Sequence, residues 1–397
     1  MSEVKLFLRR GRERPVVQGH PWIFSGAVER VEPAGFEPGE NCTVHDHLGS
    51  LLASGYANPE ARIICRVVSR VPGEPWSAGL LERRLDRALA LRGRVLPLET
   101  DCLRLVNSEG DGLPGVVVDR YGPGLVLQLT TAGAERLRQP LAGLLQSRLD
   151  PSFIFENSTG ESRAAEHLGA VKQCLAGEPG PRVAVSEYGH RFLVDVLQGQ
   201  KTGFFLDQRE NRRLAARWTS GGARVLNLFA YTGAFSVYAG AAGAGQVVSV
   251  ESSEEALALA AENLETAGMK PQDHPLVKAD AFEYLRSGPG ASEKYDLVVI
   301  DPPPLAKRQA HLEKACRAYK DLNRLGLAHL SPGGVMLTFS CSSRVDARLF
   351  RQVVFAAATE AGRQVRLLQS LGPGPDHPVD ICHPEGEYLT GLLLYVC

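Results

Sequence analysis

Apolar and polar positions divide the chain into three stretches of different pattern. Residues 1–74 carry short β-rich runs, such as the one at 63–68, separated by Gly and Pro turns, which predicts a small all-β barrel or sandwich. Residues 75–185 begin with apolar positions at helical spacing over 76–93 and continue with strand-like runs, which predicts a mixed α/β domain. Residues 186–397 form the largest stretch and follow a different rule.

In this third stretch, strand and helix patterns alternate, which predicts a mostly parallel sheet covered by helices on both faces. A helix over 253–267 is well marked, because Ser252 and Glu255 can form a capping box and Gly268 supplies a stop. Strands are predicted at 223–228, 246–250, 275–278, 295–300, 334–339, 363–369 and 388–396.

Length and composition narrow the class of protein. With 397 residues, 44% of them hydrophobic, the chain can bury two or three cores. It has no apolar run of about 18 residues, and its N-terminus lacks the apolar segment of a signal peptide, so we expect no membrane span. The eight cysteines form no C-x-x-C pair, so neither a zinc site nor a redox motif is indicated, and a reduced cytoplasmic protein is the simplest interpretation.

The charge distribution is more informative than the net charge of −1. Basic residues exceed acidic ones within 1–30, 200–224 and 307–324. Three such regions in a neutral chain could form a phosphate-binding surface. Solvated helix faces with paired charges explain each region, taken alone, equally well.

Two side chains with chemical potential follow predicted strands. Asp301 comes directly after the strand at 295–300, and Cys341 follows the strand at 334–339. Ligands of open α/β sheets bind at the carboxyl ends of the strands, so both side chains are candidates for the site. The thiol suggests covalent chemistry on a flat, electron-poor substrate. The alternative is a small, inert cysteine at a strand end.

A cofactor site is predicted where the first strands of this sheet end. Gly233 permits a close backbone approach in the turn after 223–228, and Glu251 follows the next strand at a position suited to ribose hydroxyls. Asp280 and Phe282 follow the third strand and suit the amine and the ring of adenine. The turn lacks the G-x-G-x-x-G pattern that wraps a pyrophosphate, which favours a nucleoside cofactor such as S-adenosylmethionine.

A second glycine-rich stretch, at 240–245, has three glycines among six residues, as G-x-G-x-x-G does. It comes after a predicted helix and before a strand, which is the wrong context for a nucleotide loop. We therefore interpret it as a structural turn.

Several motifs together resemble those of one enzyme family, the bacterial and archaeal class I enzymes that form 5-methylcytosine in large-subunit ribosomal RNA. The resemblance extends over nearly the full chain and implies an N-terminal PUA RNA-binding domain over 1–74. It further implies a small central α/β domain over 75–185 and a C-terminal Rossmann-like, seven-stranded methyltransferase domain over 186–397. The motifs are GHPWIF (19–24), LRLVNSEGDGLPGVVVDRYG (103–122), GQKTGFFLDQREN (199–211), NLFAYTGAFS (227–236), VESSEEALALAAEN (250–263), DPPPLAK (301–307), FSCSS (339–343) and PDHPV (375–379).

The resemblance also implies which residues contact S-adenosylmethionine. One departure from the family pattern is that Pro304 and Leu305 stand where a lysine and an aromatic residue are usual, with Lys307 nearby but out of register. The implied contacts are Phe205, Gln208, Arg209, Asn227, Phe229, Tyr231, Thr232, Gly233, Glu251, Ser252, Asp280, Ala281, Phe282 and Asp301.

The implied reaction gives Cys341 and Asp301 specific roles. Carbon 5 of cytosine becomes nucleophilic once a thiolate adds to carbon 6, so Cys341 is the expected nucleophile, and Asp301 is expected to bind the polar edge of the flipped base. A related branch has a second cysteine after the strand-four proline, but residues 302–304 are all proline. The group that removes the carbon-5 proton is therefore unassigned, and His377 is as compatible with a structural turn as with this role.

The implied partner is ribosomal RNA, specifically 23S; no metal is expected, and the family precedent allows a homodimer. Two alternatives share the fold. Asp-Pro-Pro also resembles enzymes that methylate exocyclic amines, for which Cys341 would be incidental, and the chain could be a non-catalytic RNA-binding or assembly factor. A nicotinamide oxidoreductase is disfavoured because the pyrophosphate loop is lacking.

Overall fold

A computed structural model describes residues 3–71, 73–96, 99–288, 292–306 and 311–397. The chain forms two compact units. The first unit contains Met1–Val183, Asp195–Gly203 and Pro375–Gly386, and the second contains Ala184–Val194, Phe204–Gly374 and Glu387–Cys397. The division into three domains at about 74 and 185 stays a prediction.

The first part of the first unit is a six-stranded sheet in the order β2-β6-β5-β4-β1-β3. Its interior is apolar and includes Leu6, Val44 and Cys65. Gly55 allows two strands to approach closely, since a Cβ at this position would lie 2.2 Å from the carbonyl oxygen of Arg66. The predicted all-β character is confirmed, with one turn of helix added. The elements are β1 (Val4–Leu8), α1 (Arg14–Val17), β2 (Trp22–Phe24), β3 (Val28–Glu32), β4 (Glu40–His45), β5 (Leu51–Ala57) and β6 (Ile63–Ser69).

The rest of the first unit is built on a five-stranded sheet in the order β11-β10-β9-β8-β7. The amphipathic helix predicted over 76–93 packs against it and fully buries Leu81 and Leu85. The predicted α/β character is therefore confirmed. The elements are α2 (Ala78–Val95), β7 (Cys102–Asn107), β8 (Val116–Tyr121), β9 (Gly124–Leu129), α3 (Ala132–Arg136), α4 (Arg138–Leu149), β10 (Ile154–Ser158), α5 (Glu161–Ala164) and β11 (Val171–Ala176).

The second unit contains a seven-stranded sheet in the order β16-β15-β14-β17-β18-β20-β19. β14 to β18 pair in parallel, and β20 is antiparallel to both of its neighbours. All seven predicted strands are present, so the Rossmann-like prediction is confirmed. The strands are β14 (Arg224–Leu228), β15 (Gln246–Glu251), β16 (Leu276–Lys278), β17 (Tyr295–Ile300), β18 (Leu330–Ser340), β19 (Val365–Leu371) and β20 (Thr390–Val396), preceded by the hairpin of β12 (Val183–Glu187) and β13 (His190–Val194).

Both faces of this sheet are buried, as its near-continuous apolar strands predict. On β17, Val298 and Ile300 belong to one apolar core, whereas Leu297 and Val299 belong to the core on the opposite face. The helices of this unit are α6 (Arg209–Trp218), α7 (Ala234–Ala241), α8 (Glu254–Thr266), α9 (Ala281–Arg286), α10 (Leu312–Ala328) and α11 (Ala347–Glu360).

The start of α8 corrects one prediction. Ser253, and not Ser252, is the N-cap, and its side chain accepts a hydrogen bond from the Ala256 amide. The amide of Ser252 instead donates to the Glu251 carboxylate at 2.8 Å. The predicted stop at Gly268 is confirmed, because this residue follows the C-cap Ala267 and adopts a φ of 72°.

Candidate active site

The strand order of the second unit places several loops at one edge of the sheet. β14 lies between β15 and β17, so the strands that follow it are added first on one side of β14 and then on the other. Leu228 pairs with Val250 on one side and with Ile300 on the other, and Ile300 pairs with Thr338. The loops that follow β14, β15, β17 and β18 therefore begin at nearly the same level, which is where open α/β sheets bind ligands.

The turn after β14 is held in an unusual backbone conformation. Phe229, Tyr231 and Gly233 have φ values of 59°, 48° and 79°, in the left-handed region that is costly for side chains other than glycine. The Tyr231 amide donates to Oε2 of Glu251 at 3.0 Å, and the Gly233 amide donates to the Ala230 carbonyl at 2.9 Å. The turn thus presents backbone groups at the sheet edge in a fixed arrangement.

Glu251 connects the turns after β14 and β15. Its Oε1 accepts hydrogen bonds from the amides of Ser252 and Ser253 at 2.8 and 3.0 Å and from the Ser252 hydroxyl at 3.2 Å. Its Oε2 accepts from Tyr231. Because each carboxylate oxygen offers two lone pairs, Oε2 keeps the capacity to accept a further hydroxyl, as the ribose prediction requires.

The residues predicted to meet adenine lie at the start of α9. Oδ1 of Asp280 accepts from the amides of Phe282 and Glu283 at 2.9 and 3.1 Å, so this carboxylate caps the helix, a role that the sequence analysis missed. Phe282 is half-buried and Ala281 is buried. The Ala279 amide bonds to the Glu251 carbonyl at 3.1 Å, which keeps this loop beside the turn after β15.

Thr232 carries a buried hydroxyl in the turn after β14. Its side chain is only 2% exposed, and its hydroxyl has no hydrogen-bond partner among the residues described by the structure. Its carbonyl is held by Nδ2 of Asn263 at 3.0 Å. A buried hydroxyl without a partner is costly, so its position in the glycine turn fits a ligand with polar groups at this edge.

The segment before α6 contributes an aromatic wall. The ring of Phe205 meets that of Tyr231 edge-on, with centroids 5.1 Å apart. Gln208 is buried and its Oε1 accepts from Nδ2 of Asn211 at 2.6 Å. Arg209 is fully buried, with its Nε 3.4 Å from the Glu210 carboxylate. The structure therefore places Phe205 beside the turn, and Gln208 and Arg209 inside the unit.

A buried ionic network positions this wall, and the sequence analysis missed it. The guanidinium of Arg212 donates to the Glu187 carboxylate in bidentate fashion at 2.7 and 2.6 Å, and Tyr238 donates to the same carboxylate at 3.0 Å. Nη1 of Arg212 also donates to the Phe205 carbonyl at 2.9 Å. No local signal marks the network, because its three members come from β12, α6 and α7.

Asn227, another predicted cofactor residue, is 1% exposed. Its Nδ2 donates to the hydroxyl of Ser236 at 2.9 Å. The Ser236 hydroxyl in turn lies 2.7 Å from the hydroxyl of Ser249. This chain of polar side chains links β14, α7 and β15 directly beneath the turn. The side chain of Asn227 thus supports the turn from inside the unit.

Cys341 and Asp301 lie at the ends of neighbouring parallel strands, β18 and β17, and both are half-buried. Sγ of Cys341 lies 3.5 Å from the carbonyl oxygen of Pro302. The loop after β17 is therefore in direct contact with the thiol. Lys307, whose role the departure from the family pattern puts in doubt, lies outside the described residues.

A second contact fixes the same two loops, and the sequence analysis missed it as well. The hydroxyl of Ser342 accepts from the Ala306 amide at 3.1 Å and lies 2.9 Å from the hydroxyl of Tyr319 on α10. Burial raises the pKa of Tyr319, so this phenol stays protonated and can donate. Ser342 thus ties residues 301–306 to the segment that carries Cys341.

His377 belongs to the first unit, where it is buried and its Nδ1 lies 3.1 Å from Oδ1 of Asp376. The other oxygen of Asp376 accepts from the Arg104 amide at 3.0 Å. These are contacts of a packed turn.

The glycine-rich stretch at 240–245 is also a turn, in which Gly243 has a φ of 91° after α7.

In the third basic region, the paired-charge interpretation holds for three of the basic side chains of α10. Arg317 pairs with Glu313, Lys320 with Glu360 and Arg324 with Asp321. Lys307 and Arg308 of this region are not among the described residues.

Across the described ranges, no three His, Cys, Asp or Glu side chains are grouped so that they could hold a metal ion. Within the same ranges, no helix combines the length and apolar character needed to cross a membrane.

The strand order, the glycine turn without a pyrophosphate loop and the acidic residue at the end of β15 are the features of a nucleoside-binding α/β fold. Residues 126–379, more than half of the chain, match the S-adenosylmethionine-dependent methyltransferase family, and residues 6–70 match a PUA-like domain. A provisionally assigned S-adenosylmethionine-dependent methyltransferase from Streptococcus mutans has the same fold (TM-score 0.84, 22% identity, 99% of this chain and 100% of the other).

The chain is also similar to ribosomal RNA large subunit methyltransferase I of Serratia proteamaculans, with 42% identity and 98% of each chain covered. The Escherichia coli O139:H28 protein of the same name is 40% identical, again over 98% of each chain. The chain therefore belongs to the family of S-adenosylmethionine-dependent methyltransferases that includes ribosomal RNA large subunit methyltransferase I. The orphaned Thr232 hydroxyl and the remaining acceptor capacity of Glu251 fit this cofactor, which carries both polar amino-acid groups and ribose hydroxyls.

Proposed function

We propose that this enzyme methylates carbon 5 of a cytosine in large-subunit ribosomal RNA, with Cys341 as the nucleophile. The observation that carries the proposal is the position of the Cys341 thiol at the end of β18, 3.5 Å from the carbonyl of Pro302 in the loop that begins with Asp301. The thiol and the carboxylate thus lie on adjacent loops at the cofactor edge of the sheet. The names of the relatives support ribosomal RNA as the substrate.

The chemistry needs a nucleophile because carbon 5 of cytosine is a poor methyl acceptor. S-adenosylmethionine, when bound, supplies a methyl group on a positively charged sulfur. The Cys341 thiolate adds to carbon 6, and the electron pair of the carbon 5–carbon 6 double bond becomes available at carbon 5. Carbon 5 takes the methyl group as the methyl–sulfur bond breaks, and the cofactor leaves as a neutral thioether. A base then removes the carbon-5 proton, and the sulfur–carbon 6 bond breaks to restore the ring and the thiolate.

The residues of the chain divide the remaining tasks. Asp301 hydrogen-bonds the polar edge of the flipped base and holds carbon 6 against the thiol. The three prolines at 302–304 restrict the backbone of this loop, and Ser342 anchors its end. The predicted contacts at the sheet edge hold the cofactor, with Glu251 accepting from ribose hydroxyls and Thr232 from a polar group of the cofactor. The buried Gln208, Arg209 and Asn227 support these contacts from inside the unit.

The proposal has three finer parts. The RNA is the 23S molecule, as "large subunit" in the names of the bacterial relatives suggests. The enzyme works in the cytoplasm, where that RNA is made and assembled. It forms a homodimer, which the family resemblance allows and light scattering of the purified protein tests directly.

The test is nucleoside mass spectrometry of 23S ribosomal RNA incubated with the enzyme and S-adenosylmethionine. We expect 5-methylcytidine with the wild-type protein and none with Cys341→Ala, while cofactor binding measured by calorimetry is retained. Methylation of an exocyclic amine of guanine or adenine, unaffected by Cys341→Ala, would overturn the proposal in favour of lone-pair attack. Failure of the wild type to bind S-adenosylmethionine would favour a non-catalytic role.

A further inference from the structure

The first unit contains a cavity with an unusual concentration of arginines. It has a volume of about 290 Å³ and lies between the end of β6 and one face of α2. Arg83, Arg84 and Arg87 line it from the helix, because positions three and four residues apart share a helix face. Arg70, directly after β6, lines it from the sheet. We call this site the arginine cavity, defined by these four residues.

The charge of the arginine cavity is unbalanced. Four guanidinium groups face a single carboxylate, Glu74, which pairs with Arg83 and accepts from the Ser69 hydroxyl. Burial lowers the pKa of Arg84, and the positive charges of Arg87, Arg83 and Arg70 lower it further against the opposing effect of Glu74. The guanidinium groups are thus close enough to repel one another. An anion in the cavity relieves this repulsion.

The arginines differ in how tightly they are held. Arg84 donates to the carbonyls of Gly112 and Val68, and Nε of Arg70 donates to the Val16 carbonyl at 3.1 Å. These two are fixed positive charges. Arg87 is exposed and makes no hydrogen bond or ion pair with any residue in the described part of the chain. The cavity therefore combines anchored charge with a free guanidinium fork that can bind two oxygens of one ligand.

We propose that the arginine cavity binds a backbone phosphate of the RNA substrate. The proposal rests on the proposed function, since that function supplies a polyanionic strand. A phosphodiester presents two non-bridging oxygens that share one negative charge and match the arginine fork, and the cavity is at the lower end of the size of small-molecule sites. It begins where the PUA-like match ends, at residue 70, and extends onto α2, outside the three basic regions that the sequence analysis singled out.

The test compares salt-dependent RNA binding of three proteins. Arg83→Gln/Arg87→Gln removes two charges that line the cavity, and Arg94→Gln changes an exposed arginine of the same helix outside the cavity. Affinity for a 23S RNA transcript is measured without cofactor between about 50 and 200 mM salt. We expect the slope of log affinity against log salt to fall by about 0.7–1 per lost phosphate contact in the double variant and to be unchanged in Arg94→Gln.

Two further measurements separate the outcomes. A slope in the double variant equal to that of the wild type, with equal unfolding midpoints, would overturn the proposal. Inorganic phosphate that raises the wild-type unfolding midpoint but not that of the double variant, without any change in the RNA slope, would identify a free-phosphate site and would also overturn it. RNA binding is measured without methyl transfer. A wild-type enzyme that forms no 5-methylcytidine therefore refutes the proposed function but does not change the result of the binding test for the arginine cavity.

Discussion

Replacing Ser342 by alanine tests how the loop after β17 is held against the nucleophile. The Ser342 hydroxyl is the acceptor for the buried Ala306 amide and a partner of the Tyr319 hydroxyl. A buried amide left without a partner costs about 1–3 kcal/mol, and a lost neutral hydrogen bond costs about 1 kcal/mol. The Tyr319 phenol also interacts with Ser340, so it keeps a partner, and the loss of its bond to Ser342 costs only about 1 kcal/mol. We expect Ser342→Ala to lower the free energy of unfolding by about 2–4 kcal/mol.

The effect on catalysis should exceed the effect on cofactor binding. Because Ser342 anchors the end of the loop that starts at Asp301, its loss lets this loop shift relative to Cys341. A misplacement of about 1 Å can reduce turnover roughly 100-fold. We expect kcat for RNA methylation to fall at least tenfold, while calorimetry shows an unchanged Kd for S-adenosylmethionine.

Tyr319→Phe is the matched control, because it removes the phenol hydroxyl and keeps the bond between Ser342 and the Ala306 amide. We expect it to cost about 1 kcal/mol in urea unfolding and to change kcat little. The reasoning is refuted if Ser342→Ala unfolds within about 0.5 kcal/mol of the wild type and keeps its full kcat, since the Ala306 contact would then hold nothing in place.

Three further predictions follow from other parts of the structure. Thr232→Val removes the buried hydroxyl that has no partner in the described chain, so calorimetry should show about tenfold weaker S-adenosylmethionine binding without loss of stability; unchanged affinity would contradict a cofactor contact. Glu187→Gln leaves the buried charge of Arg212 uncompensated and should cost about 3–5 kcal/mol in urea unfolding, whereas a cost below about 1 kcal/mol would contradict the network. Burial lowers the pKa of His383 below its ordinary value of 6.5, so the unfolded chain takes up a proton first and stability should fall as the pH drops below about 6.5. His383→Gln should flatten this pH dependence and the exposed His47→Gln should not; equal curves would contradict the assignment.

The sequence predicted the sheet of the second unit well because its strands are buried on both faces. Residues 297–300 are an uninterrupted apolar run, and such runs between helical patterns indicate central parallel strands. The placement of Asp301 and Cys341 at one edge follows from the parallel direction of β17 and β18. Strand ends could therefore be assigned without knowledge of any long-range contact.

The contacts that fix the site could not be predicted, because each depends on how distant elements pack. Arg212 and Glu187 are 25 positions apart, and Ser342 and Ala306 are 36 apart, with no local pattern to mark either pair. The cap of α8 was assigned one residue too early, since neighbouring serines are equivalent as sequence signals and only the backbone decides between them.

The most direct test of the central claim uses 23S RNA in which cytidine is replaced by 5-fluorocytidine. Fluorine replaces the carbon-5 proton that a base must remove before the thiolate is eliminated. The bond between the enzyme and carbon 6 should therefore persist after methyl transfer. Peptide mass spectrometry should find this adduct on Cys341 in the wild type. It should also find it in the control variant Cys316→Ala, which removes a half-buried cysteine of α10. It should find none in Cys341→Ala. An adduct on another cysteine, or full methylation of ordinary RNA by Cys341→Ala, would contradict the account.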